Sequence, residues 1–580
     1  MILQALTSYY ERLAEQGLVA RPGWGPAKVS YAIDLNADGT VRQVYSLLHT
    51  PENGKSGKMI PRIISVPLPV KRSYGVKANF LCDTSAYLLG ADQKGRPERT
   101  AECFSASREL HLELLQSLQS EAAQVICRFF ETWDPAQGET DPEIAQYWQD
   151  MTGGGSLLFY YDGKSAAEDP LIQAAWQRYY DQSEDGVVMR CLVTGESSVI
   201  PPIHSAIKGI PGAQSSGAAL ISFNAPAFES YDREQNLNAP VGEYAAFAYT
   251  TALNYLIADW NNRVTIGDTM VLCWAESAEP AYQAMTMQAM MGAGDDVGEA
   301  AVRAAVESIS KGRRFQWDET SLDPDMRFYV LGIAPNAARL SVRFFLQNSF
   351  GSFIKHIEEH HERLRIVKPA FEKYETIPLK WLLGETVNPK SKNKAASPQL
   401  AGDLLRSVLT GAPYPTTLIY AVEQRIRAEC NIGYQKAAIV KAYYLKNKHP
   451  DMPEKEVLTV ALNPESNSIP YQLGRLFSVM EEIQSKANPT IKATIKDRYY
   501  NAASSTPALV FPTLVNLAQK HLKKIETSNK NISIYYNKMM GTIIEKLGSS
   551  YPTRLNLAEQ GAFQIGYYHQ TQKRYEKKGE

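Results

Sequence analysis

Near the start of the chain, apolar residues recur at helical spacing. Leu3, Leu6, Tyr10, Leu13 and Leu18 predict one amphipathic helix, ended by Gly17 and the Arg21-Pro-Gly that follows. The period then changes to two. Lys28–Leu35 alternates, Asn36-Ala-Asp-Gly39 supplies turn residues, and the alternation resumes from Thr40, which predicts a β-hairpin. From 51 to 80 the pattern is lost among Pro51, Pro61, Pro67, Pro69 and several glycines, so an extended, exposed excursion is expected. Residues 101 to 185 read as mixed helix and loop, with a strand at Leu157–Tyr161. Further strands are expected at Val187–Val193 and Thr269–Trp274, with a helix from about Val241 to Asn261 between them. A second hairpin, Arg327–Ala334 and Arg339–Phe345, turns at Pro335-Asn336. After residue 349 only helical periods remain: Phe350–Ile366, Gln399–Leu409, Thr416–Glu429, Tyr434–Leu445, Tyr471–Ile483, Pro507–Ile525 and Ile532–Leu547. The expected fold is α+β, with a mixed α/β domain over 1–348 and a helical bundle over 349–580.

Length supports more than one core. At 580 residues the chain exceeds the roughly 250–300 at which single cores stop growing. Apolar residues at 44% exclude a disordered chain, and polar residues interrupt every apolar run short of a membrane span. No secretion signal is legible, and the six cysteines form no C-x-x-C pair, so a reducing cytoplasm is expected. Cys191-Leu-Val-Thr-Gly has the look of half a zinc turn, but without a second half a small buried hydrophobe is the better reading.

Charge divides the chain. The formal total is −1, yet residues 1–100 sum to +5, 101–300 to −20 and 301–580 to +14. Positive regions at both ends suit contact with a polyanion, unless the acidic and basic regions pair with one another.

Candidate chemistry is sparse. His356-Ile-Glu-Glu-His360 fits the H-x-x-E-H pattern, which places two imidazoles one helical turn apart, and a zinc metallohydrolase using His356, Glu359 and His360 is the enzymatic alternative. The same stretch also reads as a solvated helix face, and no third ligand is evident. Gly54-Lys55-Ser56 resembles the end of a phosphate loop, but His49 stands where the first glycine is required. No catalytic residue, cofactor or metal is expected.

The 51–80 segment is better supplied for nucleic acid. Lys55, Lys58, Arg62, Lys71, Arg72 and Lys77 face one acid, Glu52. Asn79 has the donor and acceptor that read a base edge, and Tyr74 and Phe80 have rings suited to stacking, if they do not pack back on the domain. A second stretch, from Lys208 through Gln214, Ser215 and Ser216 to Asn224, combines glycines with small polar groups and reads either as a DNA contact or as a tight loop. Lys520, Lys523 and Lys524 lie opposite an apolar helix side, as a guide for a displaced strand or as a solvated face.

An ordered series of segments resembles a known family over nearly the whole chain. It comprises Met1–Tyr10, Asn79–Gly90, Cys191–Glu196, Gly212–Ala218 with Ser222–Asn224, Asn238-Ala-Pro with Ala252–Leu256, Gly411–Pro415, Tyr471–Phe477 and Ile495–Tyr500. Together they resemble the large subunit of the subtype I-C CRISPR surveillance complex, Cascade. The resemblance implies a non-catalytic, cytoplasmic subunit that reads the protospacer-adjacent motif (PAM) on double-stranded DNA and assists duplex opening and R-loop formation, while base pairing reads the target. It implies as partners a guide RNA, the backbone, RNA-processing and small subunits, and a recruited helicase-nuclease. It also implies that the part from about 452 resembles a small subunit, with Met452 or a non-AUG codon as internal start. One departure stands out: Asp232 follows Ser230-Tyr231 where the family often has glycine.

Overall fold

The computed structural model describes residues 1–50, 59–70, 75–182, 186–291, 304–305, 307–308, 313–317, 320–374, 376–392 and 395–575. The chain forms two compact units, one of residues 1–205 with 221–253, the other of residues 206–220 with 254–580.

In the first unit, α1 (Ile2–Glu15) buries Leu6, Tyr9, Tyr10 and Leu13, the side that its spacing predicts. The expected hairpin is present as β1 (Trp24–Leu35) and β2 (Val41–Ser46). Its turn closes through Gly39, whose φ of 87° suits glycine and which sits where a β-carbon would meet the Arg128–Phe129 backbone. Beyond β3 (Leu48–His49), the expected excursion is corrected by a strand, β4 (Ile60–Pro67), antiparallel to β1. Its two prolines mask the strand in sequence. Proline lacks the N–H of a ladder, and β4 accommodates it beside the short β3 and at its own last residue.

After β5 (Cys82–Asp83) come α2 (Ser85–Leu88), α3 (Pro97–Leu115), α4 (Glu121–Thr132) and α5 (Trp148–Gly153). The predicted strand at 157–161 is β6 (Ser156–Tyr161), parallel to β1, and it is followed by β7 (Lys164–Ser165) and α6 (Pro170–Gln182). The sheet order is β3-β4-β1-β6-β5, with β2 on β1 and β7 on β6. Phe80, Phe129, Phe130, Phe159 and Trp176 fill the core against it. A small hairpin, β8 (Val188–Arg190) and β9 (Ser197–Val199), is shorter than the strand expected there. Helix α7 (Glu243–Ala258) matches its expected position.

The second unit carries an antiparallel meander in the order β10 (Arg263–Ile266), β11 (Thr269–Ala275), β14 (Arg327–Asn336), β15 (Arg339–Ser349). Between β11 and β14 the chain forms α8 (Pro280–Met291) and a two-stranded ribbon, β12 (Phe315–Trp317) with β13 (Thr320–Leu322). Helices follow: α9 (Phe350–Leu364), α10 (Leu379–Gly384), α11 (Pro398–Thr410), α12 (Thr416–Glu429), α13 (Tyr434–Asn447), α14 (Glu454–Val457), α15 (Ile469–Ala487), α16 (Ile495–Ser505), α17 (Pro507–Ser528), α18 (Lys530–Glu545) and α19 (Leu557–Lys573). Sheet and helices share one core, for Phe328 of β14 packs edge to face on Phe350 and Phe353 of α9 at 5.7 and 5.9 Å. The division expected at 348 thus falls inside this unit. The fold is α+β, strands early and helices late. No described helix is long and apolar enough to cross a membrane.

Candidate nucleic-acid interface

Three asparagines from the motif-like segments do the same job at three loops. An asparagine side chain both donates and accepts, so it can replace a backbone partner on either side of a turn. Asn79 Oδ1 accepts from the Val70 amide at 2.9 Å and ties the ends of segment 70–79 together, while Arg99 Nη2 donates to Gly75 O at 3.1 Å. Asn238 Oδ1 accepts from Ser230 N at 2.8 Å, and its Nδ2 donates to Arg233 O and Gln235 O at 2.6 and 2.9 Å. Asn254 Oδ1 accepts from Lys208 N at 3.0 Å, and its Nδ2 donates to Ala206 O at 3.2 Å. Each residue holds the base of its segment, and the described residues of the second and third segments are largely exposed.

Of the first loop's candidates, Lys71, Arg72 and Tyr74 lie outside the described residues, as do Lys55 and Lys58. Lys77 is exposed and Asn79 half-buried. Phe80 is a correction. Its ring is 1% exposed and stacks on Trp176 at 5.4 Å, so a base could reach it only if the core gave up about 2 kcal/mol of burial. The turn that follows is held from inside. Asn79 N and Thr84 N donate to the two oxygens of Asp83, and Leu81, at a φ of 59°, donates its N–H to His111 Nε2 at 2.9 Å.

His111 Nδ1 lies 2.7 Å from Ser107 O, so Nδ1 carries the proton and Nε2 accepts. Burial pushes this imidazole down to about 4. Its stabilising contribution is complete above the ordinary histidine value of 6.5 and is lost as pH falls from there toward 4. His111→Leu strands the Leu81 N–H and is expected to cost about 1–3 kcal/mol in urea denaturation at pH 7.5. The variant should also lose less stability than wild type between pH 7.5 and 4.5. Equal pH slopes would refute this role.

The second loop, 206–218, closes on an Ile207–Ala218 bridge. Gly209, Gly212 and Gly217 all take positive φ, and a β-carbon on Gly217 would crowd Ile207 O at 2.9 Å. Within the loop, Ala213 N and Gly217 N close backbone turns on Ile210 O and Gln214 O. Lys208, Gln214, Ser215 and Ser216 are exposed. Asn224 is exposed too but belongs to the first unit. There, Tyr231 and Asp232 take φ of 57° and 55° at a turn closed by Arg233 N on Ser230 O. The departure from glycine at 232 therefore falls at a left-handed position, one that aspartate tolerates better than most residues.

On α17, Lys520 and Lys523 are exposed, and Lys524 Nζ donates to Asn488 Oδ1 at 2.7 Å. The apolar side is buried through Leu514, Ala518, Leu522 and Ile525, as the spacing predicts.

Cys191 proves more polar than a packed hydrophobe. Its Sγ accepts from Val193 N, Thr194 N and Gly242 N at 3.3, 3.5 and 3.2 Å. Burial works to raise the thiol, but these donors outweigh it and hold it below its ordinary range.

The zinc alternative finds no support in the geometry. His356 Nδ1 is engaged by Leu409 O at 2.9 Å, His360 Nδ1 by the Tyr414 hydroxyl at 2.6 Å, and Glu359 pairs with Arg363 at 3.5 Å. Burial, with the neighbouring His361 and Arg363, holds His360 well below the usual histidine range. Among the described residues no three metal-ligating side chains lie together. These residues serve packing, and Gly411, at a φ of 68°, ends α11 directly against the His356 ring.

The fold and these loops define a large α+β scaffold whose recurring polar motif residues present loops. No curated protein matches the chain. A family model for CRISPR-associated protein Cas_Csd1 matches residues 6–575. The chain belongs to this family, which is that of Cascade large subunits.

Proposed function

We propose that the chain is the large subunit of a subtype I-C Cascade, reading the PAM on duplex DNA and assisting duplex opening and R-loop formation. In this reading it works with guide RNA, the backbone, RNA-processing and small subunits, and supports recruitment of a helicase-nuclease that does the cutting. The observation that carries it is the shared asparagine clamp. A loop fixed at its base meets DNA with little ordering cost, so its tip can discriminate. Lys71, Arg72 and Lys77 would neutralise phosphates, Asn79 would set the loop's register, and the tip of Gln214, Ser215 and Ser216 would offer hydrogen bonds to a groove. Lys520 and Lys523 would guide the displaced strand, with Lys524 held partly by Asn488.

Reversing Lys71, Arg72 and Lys77 to glutamate is expected to weaken motif-bearing duplex binding by the assembled complex more than about tenfold at physiological salt, with a shallower salt dependence. Asn79→Ala should reduce discrimination between motifs more than overall affinity. Unchanged binding and discrimination in both would remove this loop from the interface. A fragment starting near Met452 would expose the side of α19 on which Gly561 packs closely against Tyr444 and Val440 of α13. As a small subunit, it would need a neighbour to cover that side.

A further inference from the structure

In the first unit, immediately after the Asn79–Gly90 segment, lies an open cavity of about 510 Å³ that none of the candidate loops lines. That volume falls within the range of small-ligand sites. Its walls are fixed by packing. Trp133 Nε1 donates to Leu89 O at 3.0 Å, Gly90 sits tightly against Pro135, and Gly138 lies against the Trp148 ring, leaving no room for a β-carbon. One wall is apolar and aromatic, built from the half-buried Phe104 and the buried Trp148. The opposite chemistry is also present. Arg96 and Arg108 line the cavity, both exposed, and neither guanidinium has a hydrogen-bonded or ionic partner among the described residues.

Two unpaired arginines are unexpected in the acid-rich stretch around them, where carboxylates are abundant. Asp92 and Glu139 line the same cavity, but Asp92 Oδ1 accepts from the Lys94 amide, and neither acid pairs with the arginines. Guanidiniums bind phosphate oxygens through paired N–H donors, carboxylates accept from exocyclic amino groups, and aromatic walls take a planar ring. A ligand with all three features is a nucleotide.

We infer that this cavity binds a single nucleotide, its phosphate on Arg96 and Arg108 and its base along the Phe104 and Trp148 wall. The ligand is either an unpaired residue of a strand or a free mononucleotide. This site lies beyond the proposed motif-reading loops and does not depend on them.

The test uses the full-length chain, without partners, titrated with adenosine, adenosine monophosphate and triadenylate RNA. Adenosine monophosphate is expected to bind about tenfold more tightly than adenosine, and Arg96→Ala/Arg108→Ala should abolish that advantage. Lys164→Ala, an exposed cation outside the cavity, should leave it intact. Triadenylate binding tighter than the mononucleotide would assign the site to a strand, and equal binding to a free nucleotide. The inference is overturned if neither phosphate-bearing probe binds, or if the double variant, shown by its melting temperature to be folded, binds them as wild type does. Duplex binding by the assembled complex is a separate readout, so failure here leaves the proposed function standing.

Discussion

Gly474→Ala is expected to destabilise the chain by about 3 kcal/mol or more, at the upper end of overpacking effects. Gly474 lies on α15 where that helix crosses α19. A β-carbon there would run into the Phe563 carbonyl group, well inside contact distance. The crossing is reciprocal, because a β-carbon on Gly566 would strike the Tyr471 carbonyl. The obstacle on each side is backbone, which cannot rotate away as a side chain does, so the helices must separate. Separation would strain a polar seam as well: the Tyr471 hydroxyl bonds His569 Nδ1 at 2.9 Å, and Arg475 Nε donates to Gln570 Oε1 at 3.1 Å. The control is Gly541→Ala in α18, where a β-carbon meets nothing within 4 Å. There alanine's helix propensity should be neutral or stabilising, by up to about 1 kcal/mol. Urea midpoints decide the matter, and a Gly474→Ala shift no larger than that of Gly541→Ala would refute the close crossing.

Glu423 should contribute stability that falls as pH rises through the weakly acidic range, opposite in sign to the contribution of His111. This carboxyl on α12 is 3% exposed, and burial pushes it up to about 7, only partly offset by the Gln564 hydrogen bond and the Arg427 charge. Its Oε2 accepts from Gln564 Nε2 at 2.7 Å, while Glu423 Oε1 and Gln564 Oε1 are both buried without partners. Two buried acceptors without a donor, on one hydrogen-bonded acid and amide, favour the protonated carboxyl. Protonation makes Oε1 a donor and removes the buried charge. The unfolded chain ionises near 4.5 and the folded one near 7, so unfolding releases a proton between those values. The stabilising contribution of the protonated group is therefore full below 4.5 and is lost as pH climbs to 7, on the order of 3 kcal/mol in all. Glu423→Gln supplies a permanent donor and should raise stability at pH 8 by up to about that amount, with little gain at pH 5. Equal effects at both pH values would refute the assignment.

The sequence made legible those elements whose apolar residues keep a period or form a long β-rich run. Helices α12 and α17 begin where their periods begin, and β1, β2, β14 and β15 lie where their runs stand, although β1 and β14 are buried on both faces. It concealed the last helix. Helix α19 is buried through Gly561, Phe563, Gln564, Ile565, Tyr567 and Tyr568 in turn, so no polar face alternates with an apolar one. Strand β4 was hidden by its prolines. The site was legible only in part. Basic and small polar residues marked the loops, but nothing local distinguishes Phe80, which faces the core, from a ring that faces solvent. The clamp at Asn254 works across 46 and 48 residues, where sequence spacing carries no signal. Part of the family resemblance rests on interior fittings such as Gly474, Tyr414 and Asp83, which serve the fold and name no contact.

The clamp at Asn254 has an evolutionary corollary. It bonds only to main-chain atoms of residues 206 and 208, and the turns within the loop are likewise main-chain to main-chain. The side chains of residues 214–216 therefore contribute nothing that folding requires. In the proposed reading, this tip can be rewritten while its mounting stays unchanged, so a change in the motif it reads need not cost stability.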